Sequence, residues 1–530
     1  MIQTAMLDSL AMSWKPEVDE IERRKQLAYR MGGDEGVRRQ HEAGRLTARE
    51  RIDRLVDPGS WFEIGALAGK GQYDRQGNLV DVRPANAIIG TARINGRKVS
   101  LDVDDYTIRG GSSEATVSEK WIYANNYALE HRMPLVRLCE SAGGSVRLVE
   151  QQGGTKIPGY PTWPMVGLLG YIPVVAVAMG PCAGLGALKA GCSHFSVMVK
   201  GTSQVFAGGP PVVGRAGMGA QLDKEELGGS QMHTRQSGVI DNEAESEEHA
   251  FDLVRRYLSY MPSSVFEMPQ RVGPTDDPNR REEELLGIVP RERRKVYKPR
   301  RILELVLDKG SLFEIAPGYG RSVVTCLARL DGYPVGVITN DPYHMGGGLN
   351  RPAAEKMETF VDLCDTFHLP IINFVDQPGT VVGIEGEKMG NVRGSVRVVS
   401  AIEQSRVPWC AVVTRRLYGL AGTAYARLQG INLHYAWPSA RWGSIPFEGG
   451  IAAAYRRELD ALPEAQRTTR LAELEAYYER LASPFLTAEK FRVPDIIDPR
   501  DTRRVLCHWI EDAWRTLPEQ LGPRGRTMRK

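Results

Sequence analysis

The chain has 530 residues, of which 42% are hydrophobic and 25% charged, and its formal net charge is +3 at pH 7. This length predicts two to four domains, and the small net charge argues against a nucleic-acid-binding protein. No run approaches the roughly 20 apolar residues of a membrane span, and the acidic N-terminus lacks the basic region of a secretory signal. The seven cysteines include no C-x-x-C pair, which indicates reduced thiols in a cytoplasmic protein and excludes a zinc ribbon.

The first 56 residues are predicted to form a helical N-terminal arm. From about residue 14 onward the sequence is rich in charge, and Ile52, Leu55 and Val56 recur at roughly helical spacing. Thr47 followed by Glu50 makes a capping-box pattern, which indicates a helix start at this point. We expect this arm to pack on a neighbouring part of the protein.

An internal repeat is the most informative feature of the sequence. From residue 92 onward the matching motifs lie 236 residues apart, and 235 apart after one residue is lost. The matching stretches are Asp57–Ile64 with Asp308–Ile315, Ala92–Val99 with Ala328–Val335, Glu119–Pro134 with Glu355–Pro370, Leu135–Gly143 with Ile371–Gly379, and Ile172–Pro173 with Val407–Pro408. So steady an offset predicts a tandem duplication of one domain.

Each half alternates strand-like and helix-like segments, which predicts an α/β fold with helices covering a sheet. We divide the chain into an arm (1–56), a first domain (57–275), a charged linker (276–300), a second domain (301–515) and a basic tail (516–530). The basic run at Arg524–Lys530 is expected to be a solvated terminus.

Each half also has two glycine-bearing loops at the ends of consecutive buried strands. These loops are Glu140–Ser145 and Gly180–Ala187 in the first half, and Asp376–Thr380 and Tyr418–Gly422 in the second. Loops at the carboxyl ends of adjacent strands face one crevice, so one backbone N–H from each loop can converge on the same oxygen. This geometry stabilises an enolate or oxyanion, at about 3–4 kcal/mol per donor.

Side-chain chemistry is less well supported. The sequence has no G-x-S-x-G elbow, no H-E-x-x-H and no Walker A stretch, and its nine histidines lack metal-ligand spacing. His194 and His233 are interpreted as structural, although His233 could contact a ligand. Cys182 could be a nucleophile, but a small apolar residue beside a backbone oxyanion site is the favoured interpretation. Glu140 and Asp376 occupy equivalent positions of the repeat, and we interpret both as carboxylates that cap the following helix.

The motifs together resemble one known family, the carboxyltransferase (β) subunits of biotin-dependent acyl-CoA carboxylases, which include propionyl-CoA and methylcrotonyl-CoA carboxylases. They cover roughly residues 44 to 455 in the order found in the family. The motifs are Gly44–Arg51 (GRLTARER), Asp57–Ile64 (DPGSWFEI), Met179–Gly184 (MGPCAG), Phe206–Val213 (FAGGPPVV), Glu225–Val239 (EELGGSQMHTRQSGV), Ile288–Pro290 (IVP), Phe374–Gly379 (FVDQPG), Thr414–Gly419 (TRRLYG) and Ala436–Pro438 (AWP).

This resemblance implies a tandem pair of crotonase-like domains and a hexamer built as a dimer of trimers. It implies that acyl-CoA lies on the first domain and that biotin reaches the second domain of a neighbouring subunit. The reaction would move CO2 from carboxybiotin to the α or vinylogous γ carbon of an acyl-CoA through an enolate, without a metal in this chain. The sequence contains no biotinyl Met-Lys-Met site and no ATP-binding domain, so biotin carboxylase and biotin carboxyl carrier subunits are expected as separate partners.

The resemblance also assigns residues by position. The acyl-CoA oxyanion hole would involve Gly143 or Gly144 with Ala183 and Gly184, and the biotin hole Gly379 or Thr380 with Gly419 and Leu420. Positions expected to contact substrate or cofactor are Gly180, Cys182, Gly209, Pro210, Tyr418 and Ala421.

Departures from the family pattern point to a reshaped acyl pocket. Members usually have Gly-Gly where this chain has Gly184-Leu185 and Gly419-Leu420, and the stretch 154–164 carries three prolines where relatives tend to have helix. An uncommon acyl group, branched or otherwise non-standard, is therefore expected rather than acetyl. Two alternatives stay open: the decarboxylase subunit of a biotin-dependent, sodium-pumping complex, and a non-catalytic scaffold that holds partner subunits.

Overall fold

A computed structural model describes residues 13–215, 222–429 and 433–525. The chain divides into two compact units. The first unit consists of residues up to 233 together with 243–255, and the second consists of 234–242 together with the chain from 256 onward. Within the described ranges, no helix is both long and apolar enough to cross a membrane.

The first unit is built on an eight-stranded sheet with an added two-stranded hairpin. In chain order its strands are β1 (Phe62–Ile64), β2 (Gly69–Tyr73), β3 (Leu79–Pro84), β4 (Ala87–Ile94), β5 (Arg97–Asp104), β6 (Leu135–Ser141), β7 (Val174–Ala183), β8 (Phe195–Val199), β9 (Gln204–Phe206) and β10 (Asn242–Ala244). The sheet order is β1-β4-β5-β6-β7-β8-β10, with β9 paired to β7 and with β2 and β3 forming the separate hairpin. Strands β1, β4 and β5 pair antiparallel, whereas β5 to β8 are parallel.

The stretch from residue 15 to 55, which the sequence predicts to be helical, forms the first three helices of this unit. The third of them starts at Thr47, which forms the predicted capping box with Glu50. The helices are Lys15–Tyr29, Gly33–Glu42, Ala48–Leu55, Ser118–Glu130, Arg147–Gln152, Leu185–Gly191, Pro210–Arg215, Lys224–Gly228 and Glu247–Tyr260. The stretch 153–166 follows helix Arg147–Gln152 and precedes β7, and it contains no helix or strand.

The second unit repeats this sheet strand for strand. Its strands are β11 (Phe313–Ile315), β12 (Val323–Leu330), β13 (Tyr333–Asn340), β14 (Ile371–Gln377), β15 (Trp409–Tyr418), β16 (Leu433–Ala436), β17 (Arg441–Gly443) and β18 (Asp495–Ile496). The order is β11-β12-β13-β14-β15-β16-β18, with β17 paired to β15. The helices are Pro299–Val306, Arg351–Thr366, Ile384–Met389, Asn391–Gln404, Gly419–Gly422, Phe447–Ala454, Arg456–Asp460, Glu464–Leu481, Pro484–Ala488 and Thr502–Thr516.

The duplication extends to the irregularities of the backbone. Ala92 pairs with Val99 and Ala328 with Val335, so the first hairpin has the same register in both units. The register shifts between Cys139 and Ser141 in β6, and it shifts between Val375 and Gln377, the equivalent residues of β14. Left-handed backbone also recurs at equivalent positions: Asn95 with Asp331, Arg109 with Met345, Arg132 with His368, Gly143 with Gly379, and Gly184 with Gly419. The predicted tandem repeat is therefore confirmed.

One expectation about the C-terminus is wrong. Arg524 is buried, and its guanidinium donates to the backbone oxygen of Asp365 and to Nδ1 of His368 at 2.9 Å each. The polar partners on the second unit compensate the burial of this charge. The rest of this run, residues 526–530, lies outside the described residues.

Candidate functional site

In the first unit the loops after β6 and β7 meet at a glycine. Gly143 has φ +84°, and a Cβ there would lie 3.0 Å from the backbone oxygen of Ala183. The loop is fixed from its other side, because Ser113 N–H donates to Gly143 and Ala142 N–H donates to Gly110. The structure therefore brings Gly143 and Ala183 together, as the sequence predicts, and allows no side chain at the first of them.

The N–H groups at this junction differ in how they are used. Gly143 N–H donates to Oγ of Ser141 at 3.1 Å, and Gly184 N–H donates to the Phe206 oxygen at 3.0 Å. Helix Leu185–Gly191 begins directly after Gly184, and the N–H groups of its first turn have no acceptor within the helix. Among the described residues, the N–H of Gly144 in the first loop and that of Leu185 in the second donate to no protein acceptor.

The second unit has the same arrangement with more room. Gly379 has φ +130°, and the nearest atom to a Cβ there would be the Tyr418 oxygen at 3.8 Å. Gly379 N–H donates to Oε1 of Gln377 at 2.9 Å, one residue before Thr380. The short helix Gly419–Gly422 starts at the end of β15, so its first N–H groups point out of the helix. Tyr418 and Ala421 are buried beside it, whereas Leu420 is 47% exposed.

The predicted helix-capping role of Glu140 is wrong. Its carboxylate is fully buried and lies 3.1 Å from Nε of Arg45 and 2.5 Å from Nη1 of Arg51. Gln40 also donates to it at 2.8 Å, and Arg51 continues the network to Glu247 through bonds of 2.8 and 3.0 Å. A buried carboxylate requires such partners, and here the N-terminal arm provides them.

Asp376, the equivalent residue of the second unit, is not a helix cap either. Nε and Nη2 of Arg416 donate to its carboxylate at 2.5 and 3.1 Å, and Tyr297 donates to it at 3.1 Å. Burial, and then the Asp376 charge, raise the pKa of Tyr297 well above its ordinary value, so this phenol remains a neutral donor. In both units the carboxylate sits at the register shift and holds the loop that follows it.

A further buried ion pair joins the two loops of the first unit. Glu140 N–H donates to Oδ2 of Asp104 at 3.1 Å, and Nζ of Lys189 lies 3.0 Å from both Asp104 and Asp102. Burial opposes the Lys189 charge, but the two carboxylates outweigh it and raise the pKa of the ammonium. Because Lys189 belongs to helix Leu185–Gly191, Asp104 connects the end of β6 to the helix that follows β7.

The side chains beneath the site are structural. A Cβ at Gly180 would lie 2.3 Å from Oε1 of Glu140, so glycine is required there. Cys182 is fully buried, and burial raises the pKa of its thiol well above the ordinary value, which removes it as a nucleophile. His194 accepts from Val174 N–H at 3.0 Å and donates to the Leu169 oxygen at 2.9 Å, as expected for a structural histidine.

Gly209 and Pro210, which the resemblance assigns to substrate or cofactor contact, follow shortly after β9. Pro210 begins helix Pro210–Arg215, and β9 pairs with β7 up to Ala183 and Phe206. Nε2 of His233 donates to the Val205 oxygen at 2.8 Å, and burial lowers the pKa of the ring. Among the described residues, no group of three or more His, Cys, Asp or Glu side chains is arranged to hold a metal.

A cavity of about 860 Å³ lies against the first of these loops, within the first unit. Its wall carries six arginines and three acidic residues, Asp34, Asp81 and Glu114, so positive charge is in excess. Gly110, which accepts from Ala142, forms part of the wall. The arginines that line the cavity are Arg30, Arg39, Arg45, Arg83, Arg109 and Arg147. Such a surface favours an anionic ligand.

Sequence reasoning missed the role of the arm in this site. Arg45 lines the cavity, stacks on Tyr106 at 5.1 Å and pairs with Glu140, so one side chain touches both the cavity and the loop support. The motif Gly44–Arg51 contains Arg45 and Arg51, the two arginines that pair with Glu140, but the motif gives no indication of these partners.

Comparison with known proteins agrees with this geometry. A family model described as the carboxyl transferase domain matches residues 39–527. The propionyl-CoA carboxylase carboxyltransferase subunit of Haloferax mediterranei is 34% identical over 500 residues, which cover 93% of this chain and 95% of that protein. The methylmalonyl-CoA decarboxylase subunit alpha of Veillonella parvula is 31% identical over 476 residues, covering 89% and 91%.

A solved structure is equally similar. The transcarboxylase 12S hexamer with methylmalonyl-CoA and methylmalonic acid bound has a TM-score of 0.85 and 29% sequence identity, with 98% of each chain covered. The two units are therefore crotonase-like carboxyltransferase domains, as the resemblance implied. The chain belongs to the carboxyl transferase family and is a carboxyltransferase subunit of the acyl-CoA carboxylase type.

Proposed function

We propose that this chain transfers a carboxyl group between biotin, carried by a partner subunit, and an acyl-CoA bound to its first unit. The observation that carries the proposal is the meeting of two glycine loops in each unit, beside a helix whose first N–H groups have no acceptor within that helix. A carboxyl transfer of this kind develops one oxyanion on each reactant, and paired N–H donors stabilise such oxyanions.

The first unit is assigned to acyl-CoA. Gly144 and Leu185 would donate to the thioester oxygen as it becomes an enolate, with Gly143, Ala183 and Gly184 shaping the junction. The arginine-lined cavity begins at Gly110, and its positive charge suits the phosphate groups of coenzyme A. Glu140 belongs to the loop and also pairs with Arg45, so one ion pair connects the oxyanion site to the wall of the cavity.

The second unit is assigned to biotin. Thr380 in one loop and Gly419 or Leu420 in the other would donate to the ureido oxygen, and Tyr418 and Ala421 would lie beside the ring. A Cβ at Gly379 would have the Tyr418 oxygen, 3.8 Å away, as its nearest neighbour, so the two loops leave room for a ligand at this junction. Bound biotin supplies the carboxyl group and the base, which is consistent with the structural roles of Cys182 and His194.

The remaining expectations complete the proposal. Biotin carboxylase and a biotin carboxyl carrier would be separate chains, and this chain would form a hexamer, as the transcarboxylase 12S structure does. We place the complex in the cytoplasm and keep the division into arm (1–56), acyl-CoA domain (57–275), linker (276–300), biotin domain (301–515) and tail (516–530).

A second candidate is the reverse direction, loss of the carboxyl group in a biotin-dependent decarboxylase. It is favoured by the 31% identity to the methylmalonyl-CoA decarboxylase subunit alpha of Veillonella parvula. Both candidates use the same site, because paired N–H donors stabilise the same enolate in either direction. A partner that couples to a membrane pump would favour the decarboxylase, and an ATP-dependent biotin carboxylase would favour the carboxylase.

The test is loss of carboxylate from malonyl-, methylmalonyl-, ethylmalonyl-, methylglutaconyl- and glutaconyl-CoA, with and without free biotin. Biotin-dependent turnover of one substrate is expected and identifies its acyl class. Turnover that does not require biotin would overturn the assignment of the second unit. Complete inactivity with every substrate, in the presence of biotin, would contradict the proposed chemistry and favour the scaffold.

A further inference from the structure

Leu185 stands between the two donor loops and an aromatic cluster. It is the first residue of helix Leu185–Gly191, so its own N–H has no acceptor within that helix. The next residue, Gly186, faces the other loop, since a Cβ there would lie 3.3 Å from Cβ of Ser141. The side chain of Leu185 is half-buried and packs against a cluster that contains Trp121, against which Tyr160 and Trp163 also pack.

The rings of this cluster are in contact with one another. Trp121 makes edge-to-face contacts with Tyr160 and Trp163, with ring centroids 5.2 and 5.0 Å apart. Trp163 is anchored by a 3.2 Å bond from its indole N–H to Asn125, and Lys189 lies 5.4 Å from the Trp121 ring centroid. Aromatic pairs in these geometries stabilise one another beyond their burial, so the wall behind Leu185 does not yield easily to a ligand.

The segment that supplies the two outer rings has no regular structure of its own. Residues 153–166 are turns and bends, whereas the equivalent part of the second unit is the helix Asn391–Gln404. Tyr160 and Trp163 fold back from this segment onto Trp121, which belongs to helix Ser118–Glu130. The apolar wall is therefore a feature of the first unit, where we place the acyl-CoA.

We propose that Leu185, backed by Trp121, Tyr160 and Trp163, forms an apolar wall beside the acyl group and sets the upper limit of acyl-chain length. This inference rests on the proposed function. Its physical basis is that Leu185, whose N–H is assigned to the thioester oxygen, also carries a four-carbon side chain that packs against the Trp121 cluster. An acyl chain that reaches this position contacts the apolar side chain of Leu185, and a longer chain collides with the aromatic cluster behind it.

The experiment measures kcat/KM for the biotin-dependent loss of carboxylate from malonyl-, methylmalonyl-, ethylmalonyl- and butylmalonyl-CoA. The variants are Leu185→Ala, which opens the wall, and Leu185→Phe, which extends it. The control is Leu188→Ala, the same change one turn further along the same helix, at a side chain that is 44% exposed. The quantity compared is the ratio of the longest to the shortest substrate, which does not depend on how much of each variant is folded.

We expect Leu185→Ala to raise this ratio roughly tenfold or more, in line with the discrimination of one methylene in an apolar pocket, and Leu185→Phe to lower it. Leu188→Ala should leave the ratio within twofold of the wild type. An unchanged ratio in both Leu185 variants, or an equal shift in the Leu188 variant, would overturn the inference while the proposed function stands. A wild-type protein without biotin-dependent turnover of any of the four substrates would overturn both.

Discussion

The two units share one backbone but support their loops with different side chains. In the first unit the carboxylate at the register shift, Glu140, is held by arginines of the N-terminal arm, 89 residues away from it in the case of Arg51. In the second unit Asp376 is held by Arg416, which lies 40 residues away on the adjacent strand β15. Both units thus keep a carboxylate at the same position of the repeat, but the arginine that pairs with it comes from a different part of the chain in each unit.

The layer beneath shows the same difference. Glu140 N–H donates to the carboxylate of Asp104, which is paired with Lys189, whereas Asp376 N–H donates to the neutral amide of Asn340 at 3.2 Å. An amide can accept the same hydrogen bond without a buried cation. The support of this loop is therefore more heavily charged in the first unit, and it depends there on more distant parts of the chain.

The largest expected effect tests the support of the two loops. Glu140→Ala leaves Arg45 without its carboxylate and leaves the fully buried Arg51 with Glu247 alone, and removing one partner of a buried ion pair costs about 3–5 kcal/mol. Asp376→Ala should cost less, about 1–3 kcal/mol, because Arg416 is 25% exposed and can turn to water. Urea unfolding of each variant measures the difference. An equal or larger loss for Asp376→Ala would break the comparison.

The next prediction separates the two sites by kinetics. Gly143→Ala places a Cβ 3.0 Å from the Ala183 oxygen at a left-handed φ, so we expect kcat/KM for acyl-CoA to fall about 10²–10³-fold as the donor loop shifts. Gly379→Ala has 3.8 Å of space but φ +130°, and should instead lower kcat/KM for free biotin.

The matched control for both is Gly77→Ala. Gly77 has φ +86° in the β2–β3 turn, with no atom within 4 Å of its Cβ position among the described residues, so it carries the backbone strain without the contact. We expect both kinetic constants to remain at wild-type values. Loss of the acyl-CoA constant in Gly379→Ala and of the biotin constant in Gly143→Ala would reverse our assignment of the units.

A third prediction concerns pH and is confined to the second unit. His368 is fully buried and donates to the Val265 oxygen while Arg524 donates to it; burial lowers its pKa to about 4. The unfolded chain binds this proton near pH 6.5, so stability is full above about pH 6.5 and falls as the pH drops towards 4, by about 3 kcal/mol in total.

The variant His368→Asn removes the titrating group and keeps a residue that tolerates left-handed backbone, since φ is +59° at this position. Its unfolding free energy should vary less between pH 6.5 and 4 than that of the wild type. The equivalent residue of the first unit is Arg132, so the first unit has no histidine at this position. A slope that persists in His368→Asn would assign the acid sensitivity elsewhere.

The smallest effect compares two buried lysines at equivalent positions, Lys120 and Lys356. Burial lowers the pKa of each to about 8. Lys356 donates to the oxygens of Ala316 and Tyr319 at 3.0 and 2.8 Å, so Lys356→Met leaves two acceptors unpaired and should cost about 1–3 kcal/mol. Lys120 has no such bond among the described residues, and Lys120→Met should be neutral or stabilising. Equal costs in urea unfolding would contradict this distinction.

The sequence was sufficient for the order of elements and for the position of the loops. Both depend on local signals, namely apolar strands that end in glycine and a constant offset between repeats. The constant offset even predicts equivalent left-handed residues such as Gly143 and Gly379, because a backbone conformation that needs glycine is retained with the glycine.

The partners of charged residues could not be predicted. Glu140 was interpreted as a helix cap because it precedes a helix, yet helix Arg147–Gln152 starts seven residues later, and the carboxylate turns inward to the arm. Arg524 was expected to be solvated because it begins a basic run, but the fold places it against Asp365 and His368, more than 150 residues earlier. Pairing over such separations is decided by packing, which no local pattern records.

The bond between Arg51 and Glu247 also has a consequence for synthesis on the ribosome. The two residues are 196 positions apart, and the chain between them enters the second unit at 234–242 before returning to the first at 243–255. At 5–20 residues per second, a nascent chain waits roughly 10–40 s between making the arginine and making its second carboxylate. The first unit therefore cannot complete its core as a co-translational domain that ends at residue 233. Any fragment meant to isolate it must include the segment up to 255.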